Sequence, residues 1–330
     1  MADYIGIKGI SIPTVSSDPS NPIAGQVWYN STSATLKGYG TQGTGAWATG
    51  GNLNNNTINQ AGSGTSQSAA LSFGGNTTGG TTRVTETESY DGTSWTNMPG
   101  QMSSGRNHLA GCGSQSATIS CGGLLPPGTD SAETYNGTSW TAAGDLLTEK
   151  YRNSLAGTTT AALTAGGIIP PAITKTVEEY DGTSWSEKAD LNTARGYLGA
   201  GALGTPSAGL VFAGLVPPAT EQVITESYNG TIWSEEGDLG TARYQPGNAG
   251  TQTAALCIGG YNTPGYAILC EAWNGTTWTE VADTAQLRQG GASGGSSVNA
   301  YIGGGQPAAV SMYTCQEWTV PDATKTFTSS

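Results

Sequence analysis

The sequence predicts an all-β chain built from repeated four-strand units. Glycine and proline together make one residue in five, 51 and 15 of 330, a density that long helices do not tolerate. Charged residues are 11% of the chain, under half of the roughly 25% of an ordinary soluble domain. A six-residue block, Tyr90-Asp91-Gly92-Thr93-Ser94-Trp95, returns at Tyr135–Trp140, Tyr180–Trp185, Tyr228–Trp233 and Trp273–Trp278. A degraded sixth copy places Trp318 after Cys315-Gln316-Glu317, so that aromatics at 90, 135, 180, 228, 273 and 318 are spaced 45, 45, 48, 45 and 45 apart.

Each period reads as four strands. A strand of small residues, such as residues 107–111 or 153–157, is followed by an apolar strand ending in a glycine pair. The pairs are Gly74-Gly75, Gly122-Gly123, Gly166-Gly167, Gly259-Gly260 and Gly303-Gly304, with Ala213-Gly214 in the fourth unit. A third strand carries Glu-x-aromatic, an Asp/Asn-Gly pair turns the chain, and a Trp strand closes the unit. Four short strands per period of about 45 residues describe the blades of a β-propeller. Small residues then crowd the axis, and Trp and Tyr fill the wedges between outer strands. An orphan Trp strand, Gly45-Ala46-Trp47-Ala48, precedes the first full unit, and the last unit lacks one. The expected fold is therefore a six-bladed propeller whose N-terminal Trp47 strand closes the last blade. Closure through residues 324–328, or a seventh blade from residues 26–39, is the alternative. The expected organisation is an extended arm over 1–24, a hairpin and ring-closing strand over 25–50, six blades over 51–320 and a tail over 321–330.

The formal net charge is −12, which repels phosphate backbones and anionic headgroups, so neither nucleic-acid binding nor membrane insertion is expected. Residues 1–8 have no basic segment leading into an apolar run, so a secretory signal is not expected. Five Cys without a C-x-x-C pair and a single His give little material for zinc or haem. No metal and no cofactor are expected, and the thiols read as buried and reduced.

The glycine doublet, the Tyr and the Trp at this spacing resemble the kelch repeat over residues 45–320. That resemblance implies an Arg after each Trp, matched at Arg106, Arg152, Arg195, Arg243 and Arg288; the first unit has Asn54-Asn55-Asn56-Thr57 there instead. Glu88, Glu133, Glu178, Glu226 and Glu271 each lie two residues before the aromatic and share its strand face. These repeated Glu and Arg residues read as structural pairs between blades, as do Trp47, Trp95, Trp140, Trp185, Trp233 and Trp278 as blade packing. Paired carboxylates for glycoside chemistry are disfavoured, because catalysis needs one asymmetric constellation. The chain also fails the sialidase Ser-x-Asp-x-Gly-x-x-Trp spacing, since Asp91 and Gly92 are adjacent. No catalytic residue is expected.

Where the repeat breaks, three consecutive units follow the glycines with two aliphatics and two prolines. These are Leu124-Leu125-Pro126-Pro127, Ile168-Ile169-Pro170-Pro171 and Leu215-Val216-Pro217-Pro218. They read as loops on one face that form an apolar patch, a candidate protein interface. At the N-terminal side, Gly25-Gln26-Val27-Trp28-Tyr29-Asn30 leading to Leu36-Lys37 resembles a segment of tailed-bacteriophage virion proteins, and the Tyr-Asn/Asp-Gly-Thr-x-Trp repeats look like structural proteins of marine phages. The resemblance implies a virion structural protein, tail- or fibre-associated, assembled in the host cytoplasm. It would be held to other virion proteins through its arm or apolar loops, and would display the propeller toward a host-surface receptor or glycan. A capsid decoration protein and a glycan-binding or glycan-cleaving propeller are the alternatives, and homo-oligomerisation is left open. An intracellular kelch adaptor is disfavoured for want of a partner domain.

Overall fold

The computed structural model describes residues 12–41, 43–77, 82–306 and 313–327. Residues 1–11 of the expected arm, Thr78 of the first unit's loop and residues 328–330 of the tail lie outside that description. All regular secondary structure among the described residues is β-strand. The chain divides into two compact units, Met1–Ala46 with Thr319–Ser330, and Trp47–Trp318.

The larger unit contains six four-stranded sheets, one per sequence repeat. The second is representative: Ala110–Ser114, Ala117–Cys121, Ala132–Tyr135 and Trp140–Ala142 pair antiparallel in that order. In the sixth sheet, strands Ala292–Gly295, Asn299–Gly303 and Cys315–Thr319 take Ala46–Gly50 as their fourth member. Trp47 thus packs on Trp318, with ring centroids 5.4 Å apart. The same within-sheet ring pair occurs at Tyr90–Trp95, Tyr135–Trp140, Tyr180–Trp185, Tyr228–Trp233 and Trp273–Trp278. The first strands of successive sheets lie against one another in a cycle, the sixth returning to the first. Apolar clusters fill the gaps between neighbouring sheets. Trp185 of the third sheet, for example, packs with Cys112, Ile119 and Cys121 of the second.

The hairpin turn is set by a side chain. Asp91 Oδ1 accepts the amides of Thr93 and Ser94 at 2.8 Å, and Asn136, Asp181, Asn229 and Asn274 do the same in later units. Only the glycine of each pair has positive φ, from +91° to +96°. The Asp or Asn caps the turn through its side chain, and the glycine alone supplies the left-handed backbone.

The glycine doublet has a different purpose. Its first residue sits at φ +60° to +68°, which Ala213 also tolerates, and its second at +91° to +117°, where all six units have Gly. In the sixth unit the doublet is Gly304-Gly305, one residue beyond the Gly303-Gly304 read from the sequence, because Gly303 still pairs with Ala292 within its strand. The amide of that second glycine donates to the next unit's backbone: Gly75 to Arg106, Gly123 to Lys150, Gly167 to Arg195 and Gly214 to Arg243, all at 2.9 Å, and Gly260 to Arg288 at 2.7 Å. Gly305 closes the cycle on Thr57 at 3.4 Å. A Cβ on Gly75 would lie 2.8 Å from the Ile58 carbonyl, so close approach and φ both require glycine.

The cation whose carbonyl accepts that bond turns its head into its own sheet. Arg106 pairs with Glu133 at 3.0 Å, Lys150 with Glu178 at 2.7 Å, Arg195 with Glu226 at 2.8 Å, and Arg243 with Glu271. All eight residues are buried. The second carboxylate oxygen accepts a backbone amide from the segment entering the sheet, such as Asn192 to Glu226 at 2.7 Å. Glu88 in the first unit accepts the amides of Asn54 and Asn55 instead, which is how a unit without the cation satisfies its carboxylate. In the sixth unit Gln316 replaces Glu, and Arg288 donates to Gly304 O, Gln286 Oε1 and Thr314 Oγ1.

Arg152 does not belong to this column. Lys150, Arg195, Arg243 and Arg288 each stand ten residues after their Trp, whereas Arg152 stands twelve after Trp140. Matching by residue type rather than by spacing put the wrong cation in the third unit.

The smaller unit is a four-stranded sheet of Thr14–Val15, Val27–Asn30, Thr35–Thr41 and Asp322–Phe327. The segment read as a C-terminal tail is a strand along the hairpin, Leu36 opposite Phe327, and the expected arm contributes Thr14–Val15 beside Tyr29 and Asn30. The Asp18 carboxylate organises the Gln-x-Trp-Tyr-Asn segment. It accepts bonds from Lys37 Nζ at 2.6 Å, Asn30 Nδ2 at 2.7 Å and Trp28 Nε1 at 3.0 Å. Those bonds, Lys37 first, hold its pKa down at about 2.

Breaking a buried ion pair leaves one charge uncompensated. Glu226→Gln should cost about 3–5 kcal/mol in urea unfolding, because Arg195 then has only neutral acceptors, among them the carbonyls of Ala213 and Ile224. A loss under about 1 kcal/mol would show that neutral acceptors satisfy the guanidinium.

Candidate functional site

Two residues beyond each seam cation or Thr57 lies a column whose chemistry does not repeat: Asn59, His108, Arg152, Tyr197, Gln245 and Gly290. Each has left-handed backbone, φ +51° to +62°. Each amide donates to the preceding member's carbonyl: His108 to Asn59, Arg152 to His108 and Tyr197 to Arg152 at 2.9 Å, Gln245 to Tyr197 at 2.8 Å, Gly290 to Gln245 at 3.4 Å and Asn59 to Gly290 at 3.0 Å. The six form a closed backbone ring, a hub within the larger unit.

The hub lines two cavities. One is walled by first-strand residues including Gly62, Gly111, Leu155, Ala200 and Ser293. The other is a mouth lined by Tyr244, Tyr261, Tyr266, Gln289 and Gln306. The residue just before each of five hub positions pairs with the start of the loop after its own glycine doublet: Asn107 with Leu124, Tyr151 with Ile168, Gly196 with Leu215, Tyr244 with Tyr261 and Gln289 with Gln306. The three Pro-Pro loops and the Tyr261–Tyr266 loop therefore stand at equivalent places beside the hub.

Arg152 dominates the hub's electrostatics. Its guanidinium lies 4.0 Å from the Tyr197 ring centroid and 5.2 Å from that of Tyr151, within cation–π range. Its Nη2 donates to His108 Nε2 at 3.3 Å, which leaves the His108 proton on Nδ1. Arg152 Nε and His108 Nδ1 are buried donors without an acceptor. Burial, then the charges of Arg152 and Arg83, push the His108 pKa down to about 3. Gln245 Nε2 donates to Asn59 Oδ1 at 3.0 Å, and Gln245 Oε1 accepts from Gln289 Nε2 at 2.9 Å. Tyr197, Tyr244, Tyr261 and Tyr266 form a ladder with centroids 5.2, 5.2 and 5.4 Å apart.

The sequence-predicted site residues divide. Glu88, Glu133, Glu178, Glu226 and Glu271 are held apart, one per sheet, each already engaged. Arg106, Arg195, Arg243 and Arg288 lie in the seams, while Arg152 is in the hub. The aliphatics of the candidate interface split by direction: Ile168 and Leu215 are buried and Leu124 half-buried, whereas Leu125 is 40% exposed, Ile169 and Val216 half-buried, and Pro126 and Pro217 exposed. The expected patch narrows to the second aliphatic and the prolines, because the first aliphatic continues the β-pairing beside the hub. Pro170 is half-buried. The five Cys are buried free thiols, with burial raising Cys121, Cys257 and Cys315 to about 12. Among the described residues no group of three or more His, Cys, Asp or Glu is placed to hold a metal ion. No family model and no curated protein matches the chain.

Sequence reasoning missed the hub because its residues share no type. The available signal was position: aligned on the cation ten or eleven residues after the Trp, they fall in one column.

His108 has a depressed folded pKa, so the unfolded chain takes up its proton first, near the ordinary value of about 6.5. Stability from this group is complete above that pH and falls as pH drops toward 3. His108→Gln should therefore lose less stability than the parent between pH 7 and 4, read as the change in urea midpoint. Parallel pH dependences would mean that His108 titrates normally.

Proposed function

We propose that the larger unit is a six-bladed, kelch-like β-propeller closed by the Trp47 strand. On this reading the chain is a non-enzymatic structural protein of a tailed-bacteriophage virion, associated with the tail or its fibres, that displays the propeller for assembly or host attachment. One observation carries the recognition part: the charges that repeat are engaged in seams, while the side chains that differ from unit to unit gather at one hub and its surrounding loops. A scaffold that repeats everywhere except at one face suits binding by that face. Paired carboxylates acting on a bond would need two free acids at one place, and the column glutamates each sit in a separate sheet.

The virion assignment is supported by the likeness of the Gln26–Asn30 and Tyr-Asn/Asp-Gly-Thr-x-Trp segments to phage structural proteins. In this reading the smaller unit, or the outward tips Leu125, Ile169 and Val216, engages other virion proteins. The hub face meets a host-surface receptor or glycan, and the protein joins the particle in the host cytoplasm.

Immunogold labelling tests this, using antibody against residues 51–330 on particles purified from an infected culture that makes the chain. Gold at the tail or fibres is the expected result. Gold over the head would replace it with the capsid-decoration reading, and unlabelled particles would overturn the virion assignment.

A further inference from the structure

The hub backbone needs left-handed φ at six positions, and glycine takes that conformation most cheaply. Gly290 shows that glycine serves in this ring. The other five positions nevertheless carry Asn59, His108, Arg152, Tyr197 and Gln245, all side chains with a polar function. The backbone alone would be better served by Gly, particularly at Arg152 and Tyr197, so these side chains are retained for what they hold.

Their chemistry is donor-rich. Arg152 makes no ion pair with any carboxylate among the described residues, and it keeps a buried Nε without an acceptor. His108, protonated on Nδ1 because Nε2 accepts from Arg152, supplies a second such donor. Arginine Nε atoms without an acceptor also occur at Arg106, Arg195 and Arg288, but Arg152 and His108 line the mouth, where a cation without a paired carboxylate calls for an anionic acceptor. The chain's −12 net charge opposes polyanions at long range, which favours a single carboxylate. Around this point the mouth offers the Tyr244, Tyr261 and Tyr266 rings, against which the C–H faces of a sugar pack. Gln289 and Gln306 offer amides for its hydroxyls. The mouth's free volume of about 290 Å³ lies at the lower end of small-molecule sites, roughly 300–1,000 Å³, and suits one sugar residue.

We infer that the hub binds the carboxylate of an acidic sugar residue, with Arg152 and His108 holding the carboxylate and the mouth tyrosines and glutamines holding the ring. This deepens the attachment reading by naming the chemistry of its ligand, and it rests on that reading only for its biological setting.

The test is calorimetric titration of the full chain with glucuronate, glucose and inorganic phosphate in separate runs. Saturable glucuronate binding with Kd of about 1 mM or tighter, at least tenfold tighter than glucose or phosphate, is expected. Arg152→Gln should weaken it at least tenfold and Tyr266→Ala several-fold, with the urea midpoints showing that both variants fold. Absence of glucuronate binding, or equal affinity for glucose, overturns the inference. Phosphate binding as tightly as glucuronate overturns the sugar assignment, and the comparison among ligands needs no variant. Labelled virions with no glucuronate binding would remove this inference and leave the virion reading standing; unlabelled virions with Arg152-dependent binding would do the reverse.

Discussion

The larger unit depends on one residue-scale link made six times. A buried residue between two sheets gives its carbonyl to the glycine amide of the sheet behind, and in four units its charged head goes to a glutamate of the sheet ahead. The glycine doublet has left-handed φ so that its amide can reach that carbonyl. The glutamate sits two residues before the aromatic because that places it on the same buried strand face. The cation cannot leave without stranding a carboxylate in a low-dielectric seam. Tyr–Trp stacking and the clusters between sheets then fill the space that the link defines.

The two departures from the link are instructive. The first unit has no cation, and Asn54 and Asn55 amides take over the carboxylate. The sixth has no carboxylate, and Arg288 is satisfied by Gly304, Gln286 and Thr314 while burial brings its pKa down to about 10. Both irregular units flank the junction at which Trp47 and Gly305 bring the two ends of the repeat together. Tyr90 of the first sheet also donates there to Glu317 of the sixth. A junction between chain ends has a different backbone path from the five continuous links, so its polar groups are satisfied by different side chains.

What could be read from the sequence follows the same division. The strand order, the glycine doublets, the Glu column and the membership of Trp47 in the last sheet were legible because each repeats or leaves a countable vacancy. Lys150 was hidden by Arg152, since an arginine two residues away matched the expected residue type better than the correct position did. The hub was illegible as a motif because it contains six different residues, and only the shared φ and the amide-to-carbonyl ring group them. Asp18 fell within the expected extended arm; its role needs Trp28, Asn30 and Lys37 brought around it by the hairpin. Pairing between residues 35–41 and 322–327 spans nearly the whole chain, and neither segment carries a pattern that names the other.

Native-state hydrogen exchange at the second-glycine amides reads the closure of the ring seam by seam. Gly75, Gly123, Gly167, Gly214, Gly260 and Gly305 should all be protected, exchanging together through one cooperative opening. Gly305 is the decisive position, because its bond to Thr57 joins the last sheet to the first. Fast exchange at Gly305 with protection at the other five would contradict the closed ring and describe an open arc of sheets.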